Sequence, residues 1–243
     1  MNREPVAAGE AAGNRGVAQP RPGLPKGGGA IRGIGEKFAA NLVTGRASAT
    51  LPIAATPGRS GFGPALALTY DSGAGNGPFG FGWSLALPAI TRKTDRGIPL
   101  YDQGAEPDVF ILSGAEDLVP VLVDVDGDLL PHHESRTAFG QIYTVRRYRP
   151  RVEGLFARIE HWSNDADASD TCWRSISRDN VTTWYGRTAE SRIFDPGNPR
   201  RVFGWLICET HDDKGQVASY GYKAEDSAGI DPAALHERQR TPS

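Results

Sequence analysis

The chain has 243 residues, of which 39% are hydrophobic and 23% are charged, so it can bury one sizeable core or two smaller ones. Its 27 basic and 29 acidic side chains give a formal net charge of -2, which argues against a non-specific nucleic-acid binder that neutralises phosphates. The 30 glycines and 18 prolines predict many turns between short elements, as in an all-β fold.

Residues 1–36 contain no aromatic side chain and are rich in Gly, Ala and Pro. Such a segment cannot bury enough apolar surface to offset its ordering entropy, so we expect a disordered arm. Its start has no apolar run of the Sec type, so export would need another route. The longest uncharged stretch, residues 72–91, contains five glycines and two prolines, which predicts no membrane-spanning segment.

From Phe38 onward, short apolar or alternating runs recur between turn residues, which predicts strands. The first two runs, residues 47–53 and 65–70, flank a turn-rich segment and predict a hairpin. A short helix is a candidate at residues 232–240. Further strands are predicted at residues 83–92, 108–112, 118–125, 141–149, 155–162, 173–177, 181–185, 202–210 and 217–223.

Three alternate aspartates, Asp124, Asp126 and Asp128, match the first three ligands of an EF-hand loop. Leu129 stands where that loop requires glycine, and Ser135 stands where a bidentate glutamate belongs. A charged hairpin turn therefore explains the pattern better than a calcium site. Hairpin turns are predicted at residues 126–127, 179–180 and 212–215.

Residues 75–80 match the GxGxxG pattern of dinucleotide-binding folds. The pattern needs a helix N-terminus to hold phosphate, whereas the residues that follow read as a strand closed by Pro88. We therefore predict a rigid corner in which glycines adopt positive φ while Phe79, Phe81 and Trp83 pack against neighbouring strands.

Four side chains, His161, Cys172, Cys208 and His211, have the chemistry of zinc ligands, but their spacing matches no zinc motif. The adjacent histidines at 132–133 point to opposite faces of a strand, so they cannot grip one metal together and are expected to be solvated. No GxSxG elbow or cysteine-nucleophile signature is present. The sequence therefore assigns no catalytic, cofactor-binding or metal-binding residue, and no cofactor.

The segment 141–151 combines aromatic side chains with arginines, as an anion-binding or nucleic-acid patch would. Strand alternation divides the arginines, with Arg147 on one face and Arg146 on the other. With Glu153 and Glu160 as candidate partners, a salt-bridged strand is the better interpretation.

A glycine- and aromatic-rich run at residues 61–64 and 71–85 opens a series of ordered sequence blocks. These blocks resemble the N-terminal region of the SpvB/TcB family, which includes the virulence plasmid B protein and the TcB/TcaC subunits of insecticidal toxin complexes. The resemblance covers about residues 36–226. Its further blocks lie at residues 90–95, 108–118, 148–156, 173–183, 185–193 and 222–226.

The resemblance implies an all-β fold of many short antiparallel strands and hairpins within an RHS-type toxin shell. Together with the composition of the two ends, it predicts a disordered arm at residues 1–36, a β-rich domain at 37–226 and a frayed or truncated tail at 227–243. In SpvB a separate ADP-ribosyltransferase domain carries a Glu-x-Glu pair, and this chain contains none. We therefore expect a structural component rather than an enzyme.

The resemblance also implies partners: the remaining TcB/TcC-like chains of the shell, a TcA-like translocation subunit, and neither nucleic acid nor inserted membrane. The chain is expected to be cytoplasmic before release and extracellular afterwards, as part of a secreted toxin complex that encloses an effector. Because family members continue further, we expect a truncated or split gene product whose last strands, 202–210 and 217–223, have uncovered edges.

A second hypothesis keeps a different class of function open. The aromatic residues at 79–83, together with Trp184 and Tyr185, are also compatible with a secreted binding module that recognises host glycan or protein.

Overall fold

The computed structural model describes most of the chain from residue 37 to residue 223. The sequence expectations for the arm at 1–36, for the tail at 227–243 and for the helix at 232–240 fall wholly or largely outside the described residues. The residues that the structure describes are 37–41, 45–56, 58–77, 79–95, 97–101, 108–113, 116–154, 156–223, 228, 229, 231 and 233–235.

The described residues form strands, with two single 3-10 turns at Arg59–Gly61 and Ala189–Ser191, which confirms the all-β prediction. No helix in this part of the chain is long and apolar enough to cross a membrane. The strands are β1 Lys37–Asn41, β2 Arg46–Ile53, β3 Leu66–Asp71, β4 Asn76–Gly77, β5 Gly80–Phe81, β6 Trp83–Leu85, β7 Ala89–Arg92, β8 Phe110–Leu112, β9 Glu116–Pro120, β10 Leu122–Val125, β11 Asp128–Pro131, β12 His133–Ala138, β13 Gln141–Pro150, β14 Arg158–Asn164, β15 Thr171–Ile176, β16 Thr182–Tyr185, β17 Arg192–Asp195, β18 Asn198–His211 and β19 Val217–Ser219.

Eight of the strands close into a barrel in the order β9-β8-β7-β18-β16-β15-β14-β13, and every neighbouring pair is antiparallel. The ring closes through β13, whose C-terminal residues pair with β9 from Tyr148 opposite Pro120 to Pro150 opposite Leu118. The N-terminal part of β13 pairs with β12, and β17 and β19 flank the long β18. Because closure pairs both sides of each barrel strand, the ring itself has no open edge.

A separate sheet of four strands runs in the order β1-β2-β3-β6. Its β2–β3 hairpin, with Thr50 opposite Thr69, confirms the first hairpin expected from the sequence. Two small hairpins, β4–β5 and β10–β11, stand apart from both sheets.

Two strands predicted as single runs are each divided between sheets. The run at 83–92 becomes β6 in the four-stranded sheet and β7 in the barrel, and the run at 118–125 becomes β9 in the barrel and β10 in a hairpin. Pro88 precedes β7 and Pro120 ends β9, and a proline nitrogen cannot donate to a strand ladder. Because the apolar pattern continues across each proline, the pattern alone predicts one strand where the structure has two.

One apolar cluster dominated by aromatic rings packs in the barrel interior. Phe110 contacts the rings of Tyr148, Trp173 and Trp205 at centroid distances of 5.8, 4.9 and 5.7 Å. The Trp205 Nε1–H donates to the carbonyl oxygen of Thr171 at 3.0 Å. The buried members are Ile90, Phe110, Leu118, Ile159, Trp173, Tyr185, Val202, Trp205 and Ile207.

The expectation of uncovered edges is wrong for the strand at 202–210, whereas β19, at the start of the 217–223 run, pairs only with β18 among the described residues. β18 pairs with β16 and β17 on one side and with β7 and β19 on the other, and its Val202, Trp205 and Ile207 are buried in the interior cluster. The covering strands come from this chain itself.

A second cluster packs on the opposite face of the same barrel strands. Tyr143, Trp162 and Trp184 pack there with ring centroids 5.4 to 5.8 Å apart. Val145, Cys172 and Cys208 complete this outer cluster, and both cysteines are buried free thiols.

Candidate functional site

A cavity of about 400 Å³ lies against the interior face of the barrel. Strands β7, β8, β9, β13 and β14 and the β11–β12 segment supply its walls. Its apolar lining comes from Phe110, Pro120, Leu130, Pro131 and Tyr148. Several basic side chains line the same space, so the cavity combines apolar surface with polar groups, as small-molecule sites do.

Three basic residues form a row across neighbouring strands of this cavity. His133 on β12 lies opposite Arg146 on β13, and Arg146 lies opposite His161 on β14. Residues directly opposite in antiparallel strands share a face, and all three line the cavity. The row runs from the exposed His133 to the buried His161.

His161 is the buried end of this row, with 4% of its surface exposed. Burial, with the charges of Arg146 and Arg92, lowers the pKa of His161 to about 3. Its Nδ1 lies 3.4 Å from the hydroxyl of Ser163, while Nε2 is buried and has no hydrogen-bond partner. The imidazole is therefore neutral near pH 7 and has one unsatisfied ring nitrogen.

A buried ion pair closes another side of the cavity. Arg92 Nη1 lies 2.7 Å from the Asp108 carboxylate, and Arg92 Nε donates to the carbonyl oxygen of Val202 at 2.8 Å. Asp108 also accepts hydrogen bonds from the backbone N–H groups of Leu100 and Tyr101. Burial lowers the pKa of Arg92, and Asp108 opposes that shift. The pair anchors residues 100–101 beside the barrel.

The arginines of segment 141–151 pair with acidic residues other than the two expected: Arg147 Nη2 lies 3.7 Å from the Glu134 carboxylate, and Arg151 Nη2 lies 3.4 Å from that of Asp117. Glu160 is fully buried, and Arg174 binds its carboxylate through Nε at 2.9 Å and Nη2 at 2.7 Å. Arg158 also binds Glu160, and Arg136 lies 3.5 Å away. The other candidate partner, Glu153, accepts a hydrogen bond from the backbone of residue 156 instead. Arg147 and Arg151 of the segment are therefore salt-bridged as interpreted, but to Glu134 and Asp117 rather than to Glu153 or Glu160.

The pKa of Glu160 reflects two opposed effects. Burial raises it, but Arg174, by charge and hydrogen bond, and the charges of Arg158 and Arg136 bring it below the ordinary glutamate value. The Trp162 Nε1–H donates to the same carboxylate at 3.1 Å, which ties the ion cluster to the outer aromatic cluster. This network supports the barrel wall.

The GxGxxG segment forms the small β4–β5 hairpin, and β6 follows it as the expected strand. Gly80 and Gly82 have φ of 98° and 78°, as predicted for a corner. The expected packing is only partly right, because Phe79 and Phe81 are 50% and 66% exposed, whereas the Trp83 ring lies 5.3 Å from that of Tyr70.

The three alternate aspartates lie on the β10–β11 hairpin, as the turn interpretation predicted. Asp126 and Gly127 both have positive φ, and the Asp124 carboxylate accepts a hydrogen bond from the Gly127 N–H at 2.9 Å. These angles match a two-residue turn with both central residues left-handed.

The four zinc-type side chains do not come together. His161 lies opposite Trp173 and faces the barrel interior, whereas Cys172 lies opposite Trp162 and faces the outer cluster. Burial raises the pKa of the Cys172 thiol to about 12 and also raises that of Cys208. The described residues hold no cluster of His, Cys, Asp or Glu suited to a metal ion.

Sequence reasoning missed the cavity, although one of its signals was visible. Strand alternation placed Arg146 and Tyr148 on one face of β13, and both line the cavity. Their neighbour His161 was a candidate only for zinc, because its position opposite Arg146 depends on a register that one sequence does not show.

Comparison with known proteins identifies relatives over most of the chain. The SpvB family, described as Salmonella virulence plasmid 65kDa B protein, matches residues 41–243. The Mono(ADP-ribosyl)transferase SpvB of Salmonella typhimurium is 37% identical over 212 residues, which are 86% of this chain and 34% of that protein. The chain thus spans about a third of the length of the curated relatives it matches.

Two solved structures extend the similarity to the fold. The crystal structure of TcdB2-TccC3 matches 93% of this chain and 10% of its own, with a TM-score of 0.72 and 34% identity. The N-terminal domain of effector protein SpvB from Salmonella typhimurium strain LT2 matches 73% of this chain and 55% of its own, with a TM-score of 0.63 and 36% identity.

Proposed function

Since the chain belongs to the SpvB family, we propose that it is a non-catalytic structural segment of a toxin complex, forming part of a TcB-like shell. The observation that carries this proposal is the match of 93% of the chain to TcdB2-TccC3 at a TM-score of 0.72. A similarity that extends over so much of the chain at 34% identity favours a shared structural role over a similarity of fold alone.

The physical character of the barrel supports a structural role. Its interior and outer clusters put large rings on both faces of the same strands, so the wall is held from both sides. The buried Glu160 network adds charged hydrogen bonds, whose loss would leave uncompensated charge inside the wall. Such a wall keeps its shape when neighbouring segments pack against it.

The chemistry of the described residues favours a non-catalytic role. The two thiols are buried with raised pKa values, so neither is a ready nucleophile. Glu160 is already bound by three arginines, which removes it as a proton-transfer group. In this proposal, effector activity belongs to other parts of the complex.

We further propose as partners the remaining TcB/TcC-like chains and a TcA-like translocation subunit, and we place the complex outside the producing cell after release. Exposed apolar side chains on the β10–β11 hairpin, notably Leu129 at 66%, offer surface for such neighbours. Phe156, at 67% exposed, offers another patch.

Co-expression tests this assembly role. The chain should co-purify with a TcB-like protein from which the matched N-terminal segment has been removed. An Ile90→Asp variant, which puts a charge at a fully buried barrel position, should not co-purify. A well-folded parent chain that fails to associate would contradict the proposal.

The binding-module alternative retains one supporting observation. Phe79 and Phe81 are exposed on the β4–β5 hairpin, but Trp184 and Tyr185 are buried and cannot contact a host ligand in this fold. Retention on a glycan array that disappears in a Phe81→Ala variant would support this alternative. Equal retention of both proteins, or none, would remove it.

A further inference from the structure

We propose that the barrel cavity binds a small, uncharged and largely apolar molecule, of the kind that a medium-chain alcohol provides. The cavity volume of about 400 Å³ lies in the range of small-molecule sites. Its described walls come from separate segments of this chain, on β7, β8, β9, β11, β12, β13 and β14, so it is a concave space rather than a flat face. This inference goes beyond the structural role, because a shell segment needs no ligand.

The apolar character of the ligand follows from the wall. Phe110 and Tyr148 present rings to the cavity, and Pro120, Leu130 and Pro131 add aliphatic surface from β9 and β11. Leu130 is 45% exposed, so a ligand in the cavity would remove part of its side chain from water. Burying apolar surface of both ligand and wall is favourable in proportion to the area removed from water.

The lack of charge on the ligand follows from the charged groups of the described lining, which already have partners. Arg92 and Asp108 form an ion pair at 2.7 Å, and Asp108 also accepts hydrogen bonds from two backbone N–H groups. Arg146 likewise has an interaction partner. His161 is buried and neutral near pH 7, because its pKa is lowered to about 3. An ionised group in the buried part of the cavity would therefore lose its hydration without gaining a counter-charge, which is costly.

A single polar group on such a ligand fits the exposed end of the cavity. His133 is exposed on β12, whereas Phe110 and His161 are buried. A hydroxyl near His133 can keep its hydrogen bonds to water while the hydrocarbon lies against Phe110 and Tyr148. A hydroxyl in the apolar part would be left without a hydrogen bond, so this polarity favours one orientation of an alcohol.

Isothermal titration of the full chain with octan-1-ol tests the proposal. Octanol should bind saturably with one site per chain, and the affinity should rise about fourfold for each methylene added from butanol to octanol. Octanoate and octylamine have similar chains and opposite charges, so both should bind about tenfold or more weakly than octanol. No saturable octanol binding, an affinity that does not rise with chain length, or a charged analogue that binds as tightly as octanol would each overturn the proposal.

Two neighbouring leucines on β11 provide a variant and its matched control. Leu130→Asp puts a carboxylate into the cavity wall and should weaken octanol binding about tenfold or more. Strand alternation sends Leu129 to the other face of β11, outside the described lining, so Leu129→Asp should bind octanol like the parent chain. Both leucines are partly exposed on a hairpin that stands apart from the barrel sheet, so both variants should melt like the parent chain.

The two variants leave clear outcomes. Unchanged octanol affinity in a folded Leu130→Asp protein, or equal weakening in both variants, would overturn the proposal. Because binding is measured on the isolated chain, its failure leaves the assembly role untouched.

Discussion

Gly82 shows how a single backbone position constrains the corner between β5 and β6. A Cβ at this residue would lie 2.6 Å from Tyr70 Cε2 and 2.9 Å from the Asp71 carbonyl oxygen, and its φ is 78°. Gly80 has a φ of 98°, but a Cβ there would meet nothing within 4 Å. A side chain at Gly80 would therefore meet only backbone strain, whereas one at Gly82 would meet both backbone strain and a steric clash.

We expect Gly80→Ala to lower the free energy of unfolding by about 1 kcal/mol, the usual cost of positive φ with a side chain. Gly82→Ala should cost about 2 kcal/mol or more, because the clash adds to the strain. Urea denaturation of both variants measures the difference. Equal losses would show that the corner relaxes around the new methyl group.

His161 links the cavity to the pH dependence of stability. Its folded pKa of about 3 lies below its ordinary value, so the folded protein binds fewer protons than the unfolded chain between pH 6.5 and 3. The stabilisation is complete above about pH 6.5 and is lost as the pH falls toward 3. Arg146 and Arg92 are the charged groups that lower the pKa of His161 together with burial.

Protonation of His161 in the unfolded chain should by itself lower the free energy of unfolding by about 2 kcal/mol as the pH falls from 7.5 to 5.0. A His161→Phe variant keeps a ring beside Phe110 and Trp173, and its free energy of unfolding should not show this decrease of about 2 kcal/mol. Denaturation curves of both proteins across this range provide the comparison. Parallel pH profiles would mean that the imidazole is hydrated in the folded protein.

At the scale of elements, hairpins were predictable and the barrel was not. Turns at 179–180 and 212–215 follow from local chemistry, since Asn180 and Gly215 have positive φ and each ends a short loop between paired strands. The division of the 83–92 and 118–125 runs, and the pairing of β13 with β9, depend on contacts between distant segments. Strand alternation put Arg146 on the correct face, but only the register with β14 brings it beside His161.

The Glu160 network gives an element-scale prediction for β14 and β15. Glu160→Gln leaves three arginines around a neutral amide, so we expect a loss of about 3 kcal/mol in unfolding free energy. Because the folded pKa of Glu160 is lowered, its contribution is present above about pH 4.3 and is lost below that pH. Arg178→Gln is the control, since its pair with Asp179 is exposed at 3.8 Å, and it should change stability by less than about 0.5 kcal/mol. Similar losses in the two variants would contradict a structural role for the network.

At the scale of the whole molecule, stability should be unevenly distributed. Five of the seven residues of β14 and three of the six of β15 are buried, whereas no residue of β2, β3 or β6 is fully buried. Hydrogen exchange should therefore be slowest in the barrel and markedly faster in the four-stranded sheet. Equal protection of the two sheets would show that a surface not apparent in this chain covers β2 and β3.

A chimera most directly tests the proposal that this chain serves as a wall segment of a toxin shell. The matched segment of TcdB2 would be replaced by this chain, and the product expressed with TccC3. We expect closed particles by electron microscopy, with the parent chimera assembling and its Ile90→Asp counterpart failing to assemble. A chimera whose barrel folds, with a cooperative melt, but which forms no closed particle would contradict the claim.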